Sequence, residues 1–343
     1  FLSSKPDKLL RNSLDIKIDD KNEFLSFLKK DIKKNLPTAY LEDFNQYINS
    51  NWLFNKLNYK KILTSSYYVT VERFRFWIAE LSRSKSDIYV VRHGGFINQI
   101  NVLQHTFNYE IKISKKYCNW NKKNKNSMYL PPVQLEKFRF LKRNLNPDKC
   151  LIVEPMSAPY NTRAGKFPYH EDYFKVINFT ETFIKNLEEK IHSKIIWRGI
   201  LAQGRIYLKK LLKRKFNKIN ICDLRENYID RLKNTKIAII KYIDTPVTEA
   251  LIADIPFIIL VPKNLLEIYE DKKIYETMIK NKILFHDPVK ASIFLNKIWH
   301  NDNINKWWNS PSVKKCKDLL KNNVAVLNKD YLSDYKNSIK RLQ

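Results

Sequence analysis

The chain has 343 residues, of which 44% are hydrophobic, enough to bury one large core or two ordinary ones. Its 63 Lys and Arg against 35 Asp and Glu give a net charge of +28, which favours anionic partners such as phosphorylated small molecules or acidic lipid head groups. The lysines are spread along the whole chain and are not clustered, which weakens the charge as an indication of nucleic-acid binding. No apolar run approaches the ~20 residues that cross a bilayer, and four scattered cysteines without a C-x-x-C pair fit a reducing cytoplasm.

The first part of the chain is predicted to be helix-rich and then to alternate strands with helices. Apolar residues at helical spacing predict helices over 21–34 and 41–57. The elements predicted next are a strand over Lys61–Val71, a helix over Glu72–Arg83, and short strands over Ile88–Val91 and Asn108–Ser114. A turn-rich stretch, Asn144–Lys149, predicts the domain boundary, so residues 1–147 form the expected N-terminal domain.

Strands and helices alternate regularly after this boundary. The strands are predicted over Cys150–Val153, Lys194–Trp197, Ile219–Cys222, Ile237–Ile240 and Phe257–Val261. The helices between and after them are predicted over Tyr173–Lys190, Gly204–Lys215, Glu226–Lys233, Leu265–Lys280, Val289–Trp299 and Ser312–Val324. This pattern predicts an α/β protein with a doubly wound parallel sheet in a second domain, 148–325, followed by a tail, 326–343.

The stretch Ile237–Pro262 reads as a strand, a helix start and a second buried strand in succession. Thr245 and Pro246 predict a helix with an N-cap hydroxyl and a proline in its first turn. The helix N-terminus would lie at the carboxyl edge of the sheet, where free N–H groups bind phosphate, with Thr248 and Glu249 facing the ligand. Glu249 beside an anion site suggests a ligand with hydroxyl groups, such as a ribose or a sugar. Alternatively, Thr245 only caps the helix and Glu249 only complements its dipole.

Three further places carry residues suited to chemistry at strand ends. His93, in the segment Arg92-His93-Gly94-Gly95, is a candidate general base in a glycine turn, or else a histidine satisfied by local backbone. Arg198 can clamp a phosphate or carboxylate, or else is a solvated loop arginine. Ser157, just after the strand that ends at Glu154, can meet phosphate, although Glu154 could be a mere surface charge.

Several motifs are absent from the sequence. It contains neither G-x-x-x-x-G-K-[ST] nor G-x-G-x-x-G, which argues against a P-loop nucleotidase and a dinucleotide oxidoreductase. A G-x-S-x-G elbow is also missing. Because no D-x-D occurs to hold a metal-bound nucleotide diphosphate, sugar transfer by this chain should be independent of metal and need no cofactor besides the donor.

The order of several motifs resembles a bacterial transferase family related to the capsule and surface-polysaccharide transferases that move Kdo or nonulosonic acids such as pseudaminic acid. The motifs are His93–Gly95, Tyr117–Trp120, Trp197–Gly199, Asp244–Pro256, Ile283–Phe285 and Trp307-Trp308. The resemblance covers roughly residues 67 to 324. It implies a GT-B glycosyltransferase with two Rossmann-like domains whose parallel sheets face a central cleft, and a CMP-activated acidic sugar as the donor.

The resemblance also implies roles for individual residues. It places Thr248 and Glu249 at the donor nucleotide, Arg198 near its phosphate or the sugar carboxylate, and His93 at the reacting centre. The sequence departs from the family pattern in having Arg92 where Gln is expected. The acidic residues expected shortly after the glycine turn are replaced by Gln99, Gln104 and His105, so His105 could share the role of His93.

The expected acceptor is a glycan or glycolipid, which fits a cytoplasmic protein at the inner face of the cell membrane and its anionic surface. Two other functions remain open at this point. A non-catalytic GT-B-like partner in a polysaccharide-assembly complex would explain the altered residues after the glycine turn. A basic nucleic-acid-binding protein would explain the charge and the aromatic residues, although no recognised binding motif is present.

Overall fold

The computed structural model describes residues 4–18, 22–50, 59–83, 86–95, 101–121, 127–154, 172–198, 212–222, 227–263 and 272–342, with only the backbone for 101–106, 172–174 and 272. The chain folds into two compact units, residues 1–91 and 92–343. The boundary predicted after residue 147 lies within the second unit and stays a prediction.

The first unit contains two parallel strands and several helices. Strands β1 (Lys61–Thr64) and β2 (Asp87–Val91) pair in parallel. The helices are Lys8–Ser13, Glu23–Asn35, Phe44–Asn49, Tyr67–Thr70 and Glu72–Arg83, with a short 3₁₀ helix at Thr38–Tyr40. The strand predicted over Lys61–Val71 was therefore too long, because Ser65 and Ser66 end the pairing and a helical turn follows.

The second unit is built on a six-stranded parallel sheet. Its strands are β5 (Lys149–Val153), β6 (Ile195–Arg198), β7 (Asn220–Cys222), β8 (Thr235–Ile240), β9 (Phe257–Leu260) and β10 (Leu284–Phe285). Their spatial order is β10-β9-β8-β5-β6-β7, and all neighbours are parallel. A shorter pair, β3 (Lys116–Asn119) and β4 (Ser127–Tyr129), is parallel as well. The predicted α/β class with parallel sheets is confirmed.

The six-stranded sheet is buried on both faces, as the apolar runs of its strands predict. One face, with Val153 and Ile240, packs against the helices Thr245–Ile252 and Pro311–Val324. The other, with Ile152 and Ile239, packs against Asp172–Lys185 and Pro288–Trp299. The remaining helices of this unit are Asn101–Ile113, Glu136–Arg139, Glu189–His192, Tyr228–Lys233, Lys272–Lys280, Asn303–Trp308 and Tyr331–Lys340, with a 3₁₀ turn at Val133–Leu135.

Some predicted elements of this unit differ from the structure. Asn108–Ser114 is not a strand but the end of the helix Asn101–Ile113, because a short apolar run does not separate the two periods. The helix predicted over Tyr173–Lys190 ends at Lys185 and resumes at Glu189 after Leu187 turns into the core. The tail 326–343 contains the helix Tyr331–Lys340.

The two tryptophans near the C-terminus anchor the sheet's helices. Trp307 Nε1 donates to the carbonyl of Asn281 at 3.1 Å, and Trp308 Nε1 donates to Asp254 Oδ1 at 2.9 Å. Asp254 also accepts from Lys317 Nζ at 2.9 Å and adopts a positive φ of 50° in the turn before β9. This part of the predicted motif therefore supports the fold at the amino-terminal edge of the sheet.

Candidate functional site

Arg92 holds the glycine turn in place. Its side chain is buried at 1% exposure, with Nε donating to the carbonyl of Gly94 at 2.7 Å and Nη1 donating to Asn119 Oδ1 at 3.0 Å. The guanidinium also lies 5.0 Å from the centre of the Trp120 ring. Burial lowers the pKa of Arg92 to about 10, which leaves it charged at neutral pH. Asn119 and Trp120, which belong to the aromatic segment of the motif, thus contact Arg92 and help to hold the turn in position.

Gly95 packs directly on the N-terminus of the helix Thr245–Ile252. Its N–H donates to Thr245 Oγ1 at 3.2 Å. A Cβ at this position would lie 2.5 Å from Thr248 Oγ1 and 3.0 Å from the backbone at Asp244 and Thr245, so only glycine fits without displacing the helix. The structure therefore joins two segments that are 150 residues apart in sequence.

His93 projects from the same turn and lies beside a buried carboxylate. Its Nδ1 is 3.6 Å from Glu110 Oε1, with the histidine side chain 34% exposed and that of Glu110 fully buried. Burial, and then the nearby charge of Arg92, lower the pKa of His93 below its usual 6.5. The imidazole is therefore neutral at pH 7 and can accept a proton. Glu110, from the helix Asn101–Ile113, can orient it.

The helix that begins at Thr245 differs in one detail from the prediction. Asp244, in an extended conformation with φ −159°, occupies the N-cap position, and Thr245 is the first helical residue rather than the cap. Thr245 Oγ1 instead donates to Asp244 Oδ1 at 3.3 Å and accepts from Gly95. Thr248 Oγ1 is buried and has no hydrogen-bond partner within the described part of the chain, so a ligand can supply one.

Glu249 lies beside the end of β6. Burial raises the pKa of Glu249 to about 7, an effect opposed by the charges of Lys137 and Arg198. The guanidinium of Arg198 lies 4.8 Å from the centre of the Tyr228 ring, which shows that Arg198 is half-buried against an aromatic face and is not a solvated loop residue. Glu249, Arg198 and Tyr228 thus form one polar group at the carboxyl edge of the sheet.

The structure brings most of the predicted site residues together. Arg92, His93, Gly94 and Gly95 adjoin Thr245 and Thr248, and Glu249 follows in the same helix. His105 lies in the helix Asn101–Ile113, but its side chain, like Ser157, lies outside the described residues. Glu154 is not a surface charge, because it is 5% exposed.

Three residues that sequence reasoning missed are Glu110, Tyr228 and Lys241. Glu110 was missed because its segment was assigned to a strand. As part of a helix it supplies the acidic partner that the sequence lacked immediately after the glycine turn. Lys241 directly follows β8, and its position next to a buried strand was the available signal.

A family model describes this chain almost from end to end. The model of the LIC12162 family transferases matches residues 2–339. The chain belongs to this family. The family is described as one of transferases, which supports the predicted resemblance to a transferase family. The description names neither a donor nor an acceptor. A comparison with curated proteins finds no match.

Solved structures that resemble this LIC12162-family transferase are distant. MurG of Acinetobacter baumannii is 10% identical, with a TM-score of 0.43 over 82% of this chain and 78% of its own. Alr3699/HepE of Anabaena, in complex with UDP-glucose, is 8% identical, with a TM-score of 0.47 over 89% of this chain and 82% of its own. Both TM-scores are below 0.5, so no role of a residue in this chain is inferred from either structure.

The described residues contain neither a candidate membrane span nor a candidate metal site. None of their helices is both long and apolar enough to cross a membrane. Among the same residues, no group of three or more His, Cys, Asp or Glu side chains is placed to hold a metal ion.

Proposed function

We propose that this transferase is a metal-independent glycosyltransferase of the GT-B type. It moves an acidic sugar, a nonulosonic acid or Kdo, from a CMP-activated donor to a surface-glycan or glycolipid acceptor. The observation that carries the proposal is the contact between Gly95 and Thr245, which sets a neutral histidine beside a helix N-terminus. A proton acceptor next to an anion-binding helix end supports transfer of a sugar from a phosphate leaving group to a hydroxyl group.

In this mechanism the donor phosphate binds at the N-terminus of the helix Thr245–Ile252. The N–H groups of its first turn and the hydroxyl of Thr248 can donate to the phosphate, and Arg198 adds a positive charge nearby. Glu249, when ionised, accepts hydrogen bonds from the ribose hydroxyls. These groups stabilise the negative charge that develops on CMP as it leaves, without a metal.

His93 acts on the acceptor hydroxyl. The anomeric carbon of these sugars is fully substituted, since it also bears a carboxylate, and the ring oxygen shares the positive charge that develops there, so loss of CMP gives a transition state with oxocarbenium character. The acceptor oxygen forms the new bond to the anomeric carbon as the bond to the phosphate oxygen breaks, and the hydroxyl proton passes to the imidazole of His93. Glu110 stabilises the imidazolium that results.

The pairing of His93 with Glu110 favours an enzyme over a non-catalytic partner protein, since a purely structural turn has no need of a buried carboxylate beside an accessible imidazole. The large positive charge fits a peripheral position at an anionic membrane that carries the acceptor. Salt-sensitive binding of random RNA without any response to nucleotide sugars would instead favour the nucleic-acid alternative.

Thermal unfolding with a panel of nucleotides tests the donor class. CMP and CMP-linked acidic sugars are expected to raise the unfolding temperature more than UDP, GDP or their sugars at equal concentration. The stabilisation should follow mass action, about 2.7 kcal/mol at a ligand concentration one hundred times its Kd. Thr248→Val, which keeps the shape of the side chain but removes the hydroxyl, should reduce the shift. Equal shifts for all nucleotides would contradict a CMP-specific donor site.

A further inference from the structure

Glu154 and Lys241 occupy the point at which the order of the strands reverses. Glu154 directly follows β5 and Lys241 directly follows β8, the two neighbouring central strands. From β5 the chain continues outward through β6 and β7, and from β8 it continues the other way through β9 and β10. In doubly wound sheets, ligands bind outside the carboxyl ends of the strands at this switch point.

Both side chains are charged groups buried at this edge. Glu154 is 5% exposed, and its Oε1 accepts from Thr180 Oγ1 at 2.7 Å and from Trp197 Nε1 at 3.2 Å. Lys241 is 1% exposed, with Nζ 4.6 Å from the centre of the Phe179 ring. Within the described residues, Nζ of Lys241 has no hydrogen-bond partner. A buried ammonium group without a hydrogen-bond partner lowers the stability of the fold unless another group accepts hydrogen bonds from it.

The two charges influence each other without direct contact. Burial raises the pKa of Glu154 and lowers that of Lys241 to about 8, and each charge opposes the shift of the other. No hydrogen bond or ion pair joins them among the described residues. Lys241 Nζ, which has no hydrogen-bond partner within the described residues, and the carboxylate of Glu154 thus offer a donor and an acceptor at the ends of neighbouring strands.

The chemistry of the pair selects the kind of group that can bind to both side chains. Because the pair is neutral overall, an added phosphate or carboxylate would leave a net negative charge in a buried place. A hydroxyl group accepts a hydrogen bond from Nζ and donates one to the carboxylate, so it completes both partners without adding charge. Hydroxyl-bearing sugars are the matching ligand class.

The position of the pair relative to the sheet separates it from the nucleotide site. Phe179 and Trp197 belong to the face packed against the helix Asp172–Lys185, whereas Tyr228 belongs to the opposite face with the helix Thr245–Ile252. A ligand that straddles the sheet edge can therefore place its nucleotide on one face and its sugar on the other.

We infer that Glu154 and Lys241 form a subsite for hydroxyl groups of the transferred sugar. This inference rests on the proposed function, because it assigns the sugar part of the same nucleotide-sugar donor. Lys241 donates to one sugar oxygen, and Glu154, held by Thr180 and Trp197, accepts from a sugar hydroxyl.

The test uses the double variant Glu154→Gln/Lys241→Met in the full chain. It removes both charges together, since removing one alone would leave a buried unpaired charge and could prevent folding. The glutamine keeps an acceptor for Thr180 and Trp197. Binding of CMP and of CMP-N-acetylneuraminate is measured by titration calorimetry. We expect the affinity for CMP to be unchanged and the affinity for the sugar nucleotide to fall about tenfold.

The matched control is Asp254→Asn/Lys317→Met, which also removes a lysine–carboxylate pair but at the amino-terminal edge of the sheet. Asparagine tolerates the positive φ of Asp254. This variant should bind both ligands as the parent does. If the double variant at the switch point does not fold, Glu154→Gln/Lys241→Gln, which also removes both charges but keeps polar groups at both positions, is compared in the same way.

The outcomes separate the alternatives. One outcome is that the variant binds CMP more weakly than the parent but binds 2′-deoxy-CMP with the same affinity as the parent. That result would support the hydroxyl subsite but assign it to the ribose. Equal affinity of parent and variant for every ligand would overturn the subsite and leave a buried water as the bridging group, while the proposed function stood. If the parent prefers UDP-glucose, the CMP donor is wrong, and the same comparison with UDP and UDP-glucose decides the subsite. A parent that binds none of these overturns both.

Discussion

Replacing His93 with alanine is expected to lower turnover by about a hundredfold or more while leaving the Kd for the donor nearly unchanged. The imidazole is accessible, neutral at pH 7 and set beside Glu110, but it is not part of the helix end proposed to hold the phosphate. Removing it takes away the proton acceptor and spares the donor contacts. Steady-state turnover and donor titration on the same preparation measure the two effects separately.

The pH dependence of turnover gives this prediction a second readout. Burial and the charge of Arg92 lower the pKa of His93, whereas the carboxylate of Glu110 is the acidic group that faces it. Because the neutral form accepts the proton, turnover should fall as the pH drops through this lowered pKa and level off above it. The acidic limb should disappear in His93→Ala.

Two further histidine variants serve as comparisons. His300→Ala removes another histidine that lies beside a carboxylate, 3.0 Å from Glu188, and should leave turnover unchanged. His105→Ala tests the other histidine that the sequence offers. Unchanged turnover in His93→Ala with a collapse in His105→Ala would move the proton-accepting role to His105. Full activity in both would leave the reaction without a histidine base.

Glu249→Ala and Arg198→Ala are each expected to raise the Kd for the donor about tenfold or more. Each substitution removes a charge-assisted hydrogen bond to the bound ligand, which contributes on the order of 1.5–3 kcal/mol. Titration of each variant with the CMP-linked donor measures the effect. Glu276→Ala, at an exposed position in the helix Lys272–Lys280, is the control and should bind donor as the parent does.

The pKa of Glu249 distinguishes a binding role from a structural one. Burial raises this pKa to about 7 from its ordinary value of 4.5, so the free energy of unfolding falls as the pH rises from about 4.5 to about 7, and the loss is complete above pH 7. The variant Glu249→Ala should therefore unfold at an equal or higher temperature than the parent at pH 8, even though it binds donor more weakly. A variant that binds donor normally but unfolds at a lower temperature would make Glu249 structural.

Local patterns predicted much of the second unit. The apolar runs at Cys150–Val153 and Ile237–Ile240 became central strands because they are buried on both faces, where continuous hydrophobic sequence is required. Pro246 fixed the start of the helix Thr245–Ile252 to within one residue. The glycine turn was recognised from its composition, and the structure shows that Gly95 is needed for close approach to Thr248.

The relations between distant segments could not be predicted from the sequence. The contact of Gly95 with Thr245 depends on packing across 150 residues of chain, which no local period encodes. The role of Glu110 could not be predicted because a short apolar run is compatible with either a helix or a strand. In the structure the segment is a helix, which places Glu110 beside His93. The buried state of Glu154 and Lys241 depends on the order of strands in space, which the alternation of elements leaves open.

The most direct test of the proposed reaction is release of the nucleotide from a panel of donors by the parent protein. We expect CMP to be released from CMP-N-acetylneuraminate or CMP-Kdo faster than in buffer, without added metal and in the presence of a chelator. His93→Ala should suppress this release, and UDP-glucose should not be consumed. Release of UDP from UDP-glucose with no release of CMP from either acidic donor would contradict the proposed reaction.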